Sequence, residues 1–255
     1  MFGLRNQRGS CWINAALQGI FRIPDIQQRF QNNQEDENNP VETCLAEIWN
    51  SRGEEGLKDF YSCVKTSTMP AGEGIGDSHE LIEFVCDKVP FLNQLTKFKV
   101  VHSVRCNHCA TIVNKQEELN EFSVAAARKN ERLMDLIIQS VTPINIPDWK
   151  CDKCKQHGCN KQLLLVEFPQ VMIFHVTSIG NPISYTPMLS LNGIPYALCS
   201  IVCYTGGHWM TWGRNLPPGQ PWYSLDDSHI QKYDATRMPL AEHTVRLLMY
   251  YRLEQ

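Results

Sequence analysis

The sequence predicts an α+β protein of two lobes, with helices gathered in the first part of the chain and strands in the rest. Up to about Val89, apolar side chains recur at helical spacing. From about Phe98 onward they alternate, or run together in short stretches broken by Gly and Pro, as in antiparallel strands. Helices first and strands later is the order of a segregated α+β arrangement.

The elements follow in order. In "CWINAALQGIF", residues 11–21, Ile13, Ala16, Leu17, Ile20 and Phe21 mark one helix face. Ser10 stands where an N-cap is wanted, and Pro24 is expected to end or bend this helix. "QNNQEDENNP", residues 31–40, is a polar loop. "VETCLAEIW" and "EGLKDFYSCV" read as two short helices. "MPAGEGIGD", residues 69–77, is a glycine-rich loop that feeds a helix "SHELIEFVCDKV", with Leu81, Phe84, Val85 and Val89 on its apolar face and Asp77 or Ser78 as cap. "FKVVHSVRC" alternates like a strand, and "ERLMDLIIQSV" is a brief helix. "KQLLLVEF" and "VMIFHVTSI", separated by Pro169, are strands, followed by "YALCSIVCY", "GGHWMTWGR", "PWYSLDD" and "VRLLMYYRL".

The chain has 255 residues, 43% of them hydrophobic and 20% charged, enough for a sizeable core and unlike a disordered chain. Its net charge of −3 leaves no basic footprint for nucleic acid, and "ARKNER" at 127–132 reads as a solvated turn. No apolar run reaches the roughly 18 residues of a membrane span, and no signal peptide precedes the first helix. Eleven cysteines, two pairs of them spaced Cys-x-x-Cys, read as reduced thiols plus a metal site, and hence as a cytoplasmic or nuclear protein.

Cys106 with Cys109, and Cys151 with Cys154, are two knuckles that each aim two thiolates at one ion. Together they predict a tetrahedral zinc site with four sulfur ligands. Such a closed shell leaves no position for water, so the zinc is expected to be structural. His108, His157 and Cys159 lie near enough to be substitute ligands, but the two pairs already fill the shell.

Cys11 has a different setting. A thiolate at a helix N-terminus is favoured by the positive end of the helix dipole. A cysteine nucleophile needs a base, and the base an orienter. Gly206 and Gly207 lead into His208 at the start of a strand and allow a close backbone approach there. Asp226 ends the next strand-like stretch and would reach the His208 ring if the two strands pair. His175, within an apolar strand, reads as a satisfied core histidine. His102 and His243 have neither glycine lead-in nor acidic partner at a comparable place. Asn6, on the approach to Cys11, is either an oxyanion-hole amide or the centre of an Asx-turn.

These pieces together resemble the ubiquitin-specific protease family of papain-like cysteine deubiquitinases. "GLRNQRGSCWINAALQ", residues 3–18, resembles the family's cysteine box, and "GDSHELIEF", residues 76–84, its Gln-Asp-Ala/Ser-x-Glu-Phe segment. The four cysteines match its zinc knuckles. "LLLVEFPQVMIFHV" stands where it has its central palm strand, and "GGHWMTW" and "WYSLDD" match its histidine box. The resemblance implies one catalytic domain over 1–255: a helical thumb to about 97, short zinc-binding β fingers from about 98 to 165, and a β palm beyond.

It further implies Cys11 as nucleophile, His208 as base, Asp226 as orienting acid, Asn6 in the oxyanion hole and Asp227 assisting. Asp77 and Glu80 match acids that hold the arginines of the ubiquitin tail, and Trp209 and Trp222 are placed as channel walls or as core. The implied partners are ubiquitin and ubiquitinated proteins, bound by a monomer without nucleic acid or membrane. The alternatives are a protease for a ubiquitin-like modifier, or an inactive ubiquitin-binding relative. The sequence departs from the family pattern at Arg8-Gly9-Ser10, where the family has Gly-Asn-Thr, at Gly76 for glutamine, at Leu81 for phenylalanine, and in its short fingers. An excised catalytic domain and a minimal enzyme both fit this compactness.

Overall fold

The computed structural model describes residues 1–7, 9–65, 76–178, 180–234 and 244–253. Most of the loop at 69–77 and His243 lie outside them. Six helices come first: α1 (Cys11–Ile20), α2 (Pro24–Gln31), α3 (Pro40–Asn50), α4 (Leu57–Lys65), α5 (Ser78–Lys88) and α6 (Pro90–Thr96). Pro24 does not bend α1. It begins α2, where its fixed φ and missing N–H suit the first turn. Asp77 caps α5 by accepting from the His79 N–H at 2.9 Å.

The strands form three sheets. β1 (Phe98–Cys106), β2 (Ile112–Leu119), β5 (Ile144–Lys150) and β6 (His157–Leu165) make a four-stranded antiparallel sheet in the order β2-β1-β6-β5. β3 (Phe122–Val124), β7 (Val171–Val176), β9 (Met188–Leu191), β10 (Ile194–Thr205), β11 (His208–Gly213), β12 (Trp222–Asp226), β13 (His229–Tyr233) and β14 (Thr244–Arg252) make the large sheet, ordered β13-β12-β11-β10-β14-β7-β3 with β9 paired on β10. Its pairs are antiparallel except β3 with β7. β4 (Glu131–Arg132) pairs with β8 (Ile183–Ser184), and α7 (Leu133–Val141) follows β4.

The large sheet is buried on both faces. One face meets the helices, where Ile173, Val202, Leu247 and Met249 join a core with α1 to α5. The other carries Phe122 and Val124 of β3 with Met172, Phe174, Ile201, Leu248 and Tyr250, in one core with Leu133, Leu136 and Ile137 of α7. This explains why "VMIFHV" is a continuous apolar run and does not alternate: all six residues are buried. α1 lies between the other helices and this sheet, and all ten of its residues are buried.

Candidate active site and metal centre

α1 runs alongside β11. Thr211 Oγ1 donates to the Ala15 carbonyl at 2.7 Å. One turn on, Gly19 lies against Ser200, the cross-strand partner of Gly213. Four helical residues and two strand residues each advance about 6 Å, so helix and strand keep step. One turn back from Ala15, Cys11 therefore stands level with His208 and Trp209 at the start of β11. Cys11 is the first residue of α1 and is 7% exposed.

Gly206 and Gly207 form the two-residue turn between β10 and β11, with φ of +52° and +107°. Positive φ at both positions is what a type I′ hairpin turn requires. Nothing lies within 4 Å of where their Cβ atoms would stand, so turn geometry, not the expected close approach, is the reason for glycine. His208 Nε2 donates to Asp226 Oδ1 at 2.6 Å. In the β11–β12 register Thr211 faces Leu225, which puts Asp226 diagonally across from His208, within side-chain reach. With Nε2 on the carboxylate, Nδ1 is the ring nitrogen left to act as base.

Asp227, with φ of +50°, turns the other way. Its Oδ1 accepts from Asn14 Nδ2 at 2.7 Å, its Oδ2 from Asn6 Nδ2 at 2.8 Å, and its carbonyl from the Leu4 N–H at 2.8 Å. Asn6 Oδ1 accepts from the Gly9 and Ser10 N–H groups, each at 3.1 Å. The Tyr61 hydroxyl lies 3.0 Å from Ser10 Oγ and 3.1 Å from Asn14 Oδ1. The ring closes with consistent donors: Ser10 O–H to Tyr61, Tyr61 O–H to Asn14, Asn14 N–H to Asp227, Asn6 N–H to Asp227, and Ser10 N–H to Asn6. Burial, opposed by the Ser10 hydrogen bond, pushes the Tyr61 hydroxyl up to about 12. Asn6 thus fills the Asx-type role through its oxygen, while its second amide N–H remains for another acceptor.

Ser10 occupies the N-cap position, but its side chain makes no capping bond, contrary to expectation. Its hydroxyl is held by Tyr61 and by the Gln7 N–H. Asn14 and Tyr61 were not singled out in the sequence. The available signal for Asn14 is a polar residue one turn after Cys11 on a helix whose one other polar side chain is Gln18.

The acids and tryptophans are more dispersed. Asp77 Oδ2 lies 3.7 Å from Arg246 Nη2, and Glu80 is exposed in the first turn of α5. Trp209 is 7% exposed and packs on Tyr204 with ring centroids 4.9 Å apart. Trp222, 1% exposed beneath the Arg214 guanidinium, belongs to the core and lines no channel. His102 does have an acidic partner, Glu117 at 2.9 Å, on the face of the small sheet.

The four knuckle cysteines converge at the tip of the small sheet. Cys106 Sγ lies 3.6 Å from Cys154 Sγ, and Cys109 Sγ 3.7 Å from Cys151 Sγ. Four sulfurs at about 2.3 Å from a tetrahedral zinc stand about 3.8 Å apart, so the cluster is able to hold such an ion. The His108 N–H points at Cys106 Sγ at 3.4 Å. Hydrogen bonding from Thr111 brings the Cys109 thiol down to about 6. Two of the substitute ligands are engaged elsewhere, His108 Nε2 with the His157 carbonyl at 2.9 Å and His157 Nδ1 with the Asp148 carbonyl at 3.2 Å, while Cys159, buried on β6, is not among the four clustered sulfurs.

A profile of the family described as ubiquitin carboxyl-terminal hydrolase matches residues 2–250. Ubiquitin carboxyl-terminal hydrolase 37 from Canis lupus familiaris is 24% identical over 163 residues, which are 62% of this chain and 15% of that protein. Its counterpart from Sus scrofa matches to the same extent. The chain thus aligns with only a small part of these relatives. Among solved structures, a SAGA DUB module of Ubp8, Sgf11, Sus1 and Sgf73 bound to monoubiquitin is similar with a TM-score of 0.84 at 16% identity, covering 100% of this chain and 69% of that one. The same module bound to ubiquitin aldehyde gives a TM-score of 0.81 at 16% identity, covering 100% of this chain and 70% of that one. At these identities the likeness is one of fold.

Proposed function

The chain belongs to the ubiquitin carboxyl-terminal hydrolase family, and from that premise we propose that it is a thiol-dependent deubiquitinase that cleaves the peptide or isopeptide bond after the C-terminal Gly-Gly of ubiquitin. The observation that carries this reading is the 2.6 Å His208–Asp226 pair, whose histidine begins the strand that the helix opened by Cys11 packs along. His208 Nδ1 takes the Cys11 proton, and the sulfur attacks the carbonyl carbon of the terminal glycine. The second N–H of Asn6 and the first-turn N–H groups of α1 hold the oxyanion. Protonated His208, held by Asp226, gives its proton to the leaving lysine amine. His208 then deprotonates a water that attacks the thioester, releasing ubiquitin and restoring Cys11.

In this reading residues 1–97 are the thumb, 98–165 the fingers and 166–255 the palm. The basic tail of ubiquitin passes Asp77 and Glu80, and Trp209 offers it only an edge. Cys106, Cys109, Cys151 and Cys154 would hold zinc, which ties β1 to the loop between β5 and β6 and supplies structure only. The reduced cysteines suit the cytoplasm or nucleus. One specific observation favours a ubiquitin-like modifier as the second reading. Arg246 already stands beside Asp77 and would oppose a basic side chain there.

The test is incubation with ubiquitin carrying a C-terminal electrophile. A mass shift is expected, and it should vanish in Cys11→Ala. A shift that persists in that variant would remove Cys11 as the nucleophile. Labelling by a ubiquitin-like modifier but not by ubiquitin would establish the second reading instead.

A further inference from the structure

A second cluster of ligating side chains lies away from the reacting groups, where the helical lobe meets the large sheet. His79 comes from α5, Glu121 from the residues just before β3, and His175 from β7. Their side chains are 16%, 16% and 10% exposed. The two imidazoles stack, with centroids 3.8 Å apart and planes 20° apart. Both turn a nitrogen toward the same oxygen: His79 Nε2 is 2.7 Å from Glu121 Oε1, and His175 Nδ1 is 3.3 Å from it. Glu83, one turn along α5 from His79, brings Oε1 to 3.7 Å from His79 Nε2.

The donors and acceptors here do not balance. His175 Nε2 and Glu121 Oε2 are both buried without a hydrogen-bond partner. When His175 donates from Nδ1, its Nε2 is a bare lone pair, and Glu121 Oε2 is another. Two buried acceptors without a donor are costly, and a cation at the cluster offsets the part of that cost carried by the Glu121 carboxylate. The ligating atoms lie within 4.8 Å of one another. Around a zinc-sized ion with bonds of about 2.0–2.1 Å, tetrahedral ligands stand about 3.3 Å apart. The observed separations of 2.7, 3.3 and 3.7 Å bracket that value, and the stacked imidazoles must rotate so that both ring planes contain the ion.

Two imidazoles with carboxylates select a divalent transition metal over magnesium or calcium, which take oxygen ligands. The cluster also has a route to solvent. An open cavity of about 500 Å³ is lined by Glu83, Asp87, Glu118, Glu121 and Ser123, an acidic approach for a cation.

We propose that His79, Glu121 and His175, with Glu83 in reach, form a second site for a divalent transition-metal ion, pinning α5 to β7. α5 is the helix that carries Asp77 at its cap and Glu80 in its first turn, so the ion sets the position of both acids relative to the sheet.

The test uses the full chain with zinc already bound by the four cysteines, titrated with cobalt(II) chloride. One further equivalent of cobalt is expected to bind, with weak visible absorption and no near-ultraviolet thiolate charge-transfer band. His79→Gln and Glu121→Gln should each weaken that binding at least tenfold while retaining the first equivalent of zinc and the wild-type circular dichroism. The proposal is overturned if no second equivalent binds, if binding is unchanged in both variants, or if a charge-transfer band places the cobalt on sulfur. None of these readouts depends on ubiquitin cleavage, so the site and the proposed activity stand or fall separately.

Discussion

Asp226 and Asp227 are adjacent in sequence, yet one holds the His208 ring and the other is held by Asn6 and Asn14. Asp226→Asn should therefore lower kcat by roughly 10²-fold or more with the fold intact, as loss of an orienting carboxylate does; full activity would move the orienting role to Asp227. Tyr61→Phe opens the hydrogen-bonded ring and leaves Asn14 Oδ1 without its donor. About 1 kcal/mol of stability should go, and kcat should fall more than KM changes; an unaltered kcat would limit Tyr61 to packing. Glu121 is a third case. Burial would raise its carboxyl, but the His175 and His79 hydrogen bonds outweigh burial and hold it at about 2. A depressed carboxyl stabilises the fold above its unfolded value and loses that contribution as pH falls through the folded one. With no ion at this cluster, stability should decline from about pH 4.5 to pH 2, and Glu121→Gln should flatten that limb of a urea-midpoint profile. His79 has the opposite sign. Burial lowers it, Glu121 raises it further, and its contribution fades as pH rises through the raised value. The sequence marks Cys11, His208 and Asp226 as candidates because they sit at a helix start, a glycine turn and a strand end. Tyr61, Asn14, Glu121 and His79 sit inside ordinary amphipathic stretches, and only folding brings them to their partners.

At the scale of elements, the substitution of glycine for glutamine at 76 has a local cause. A Cβ at Gly76 would stand 2.5 Å from the Trp12 ring, so the indole on α1 occupies the space a side chain would need. Gly76→Ala should destabilise by about 1–3 kcal/mol in thermal melts, and Trp12→Phe in the same chain should recover part of the loss; a neutral Gly76→Ala would show that α5 yields easily. The same scale shows which elements the sequence concealed. α2 and α6 open with proline, easily read as a stop. β2 is exposed along nearly its whole length, so "IVNKQEEL" has no buried face to imprint an alternation. β5 contains Pro147 and lies at the edge of its sheet, and β13 is likewise mostly exposed. Elements that pack on the core wrote their period into the chain. Edge elements are held mainly by backbone hydrogen bonds, which most sequences supply.

The whole molecule divides into a large sheet with its own two-faced core and a small sheet with few buried side chains. Chelating the metal should therefore unfold the small sheet first. Amide exchange is expected to accelerate in β1, β2, β5 and β6 while β7, β10 and β14 stay protected; uniform loss would mean that the sheets fold as one unit. Within the large sheet, β14 spans 244–252 yet lies between β10 and β7, at the middle and not at an edge. The helix bearing Cys11 packs on a surface that includes Leu247 and Met249 of that strand. On the ribosome, then, the first helix to emerge rests first on β10 and β11, and its wall is completed only by the last described strand. Cys11 is synthesised early, and its surroundings are completed late. A nascent chain stalled before residue 244 carries Cys11 without that strand, and under the proposed function a few residues lost from β14 should lower activity more than as many lost from the small sheet.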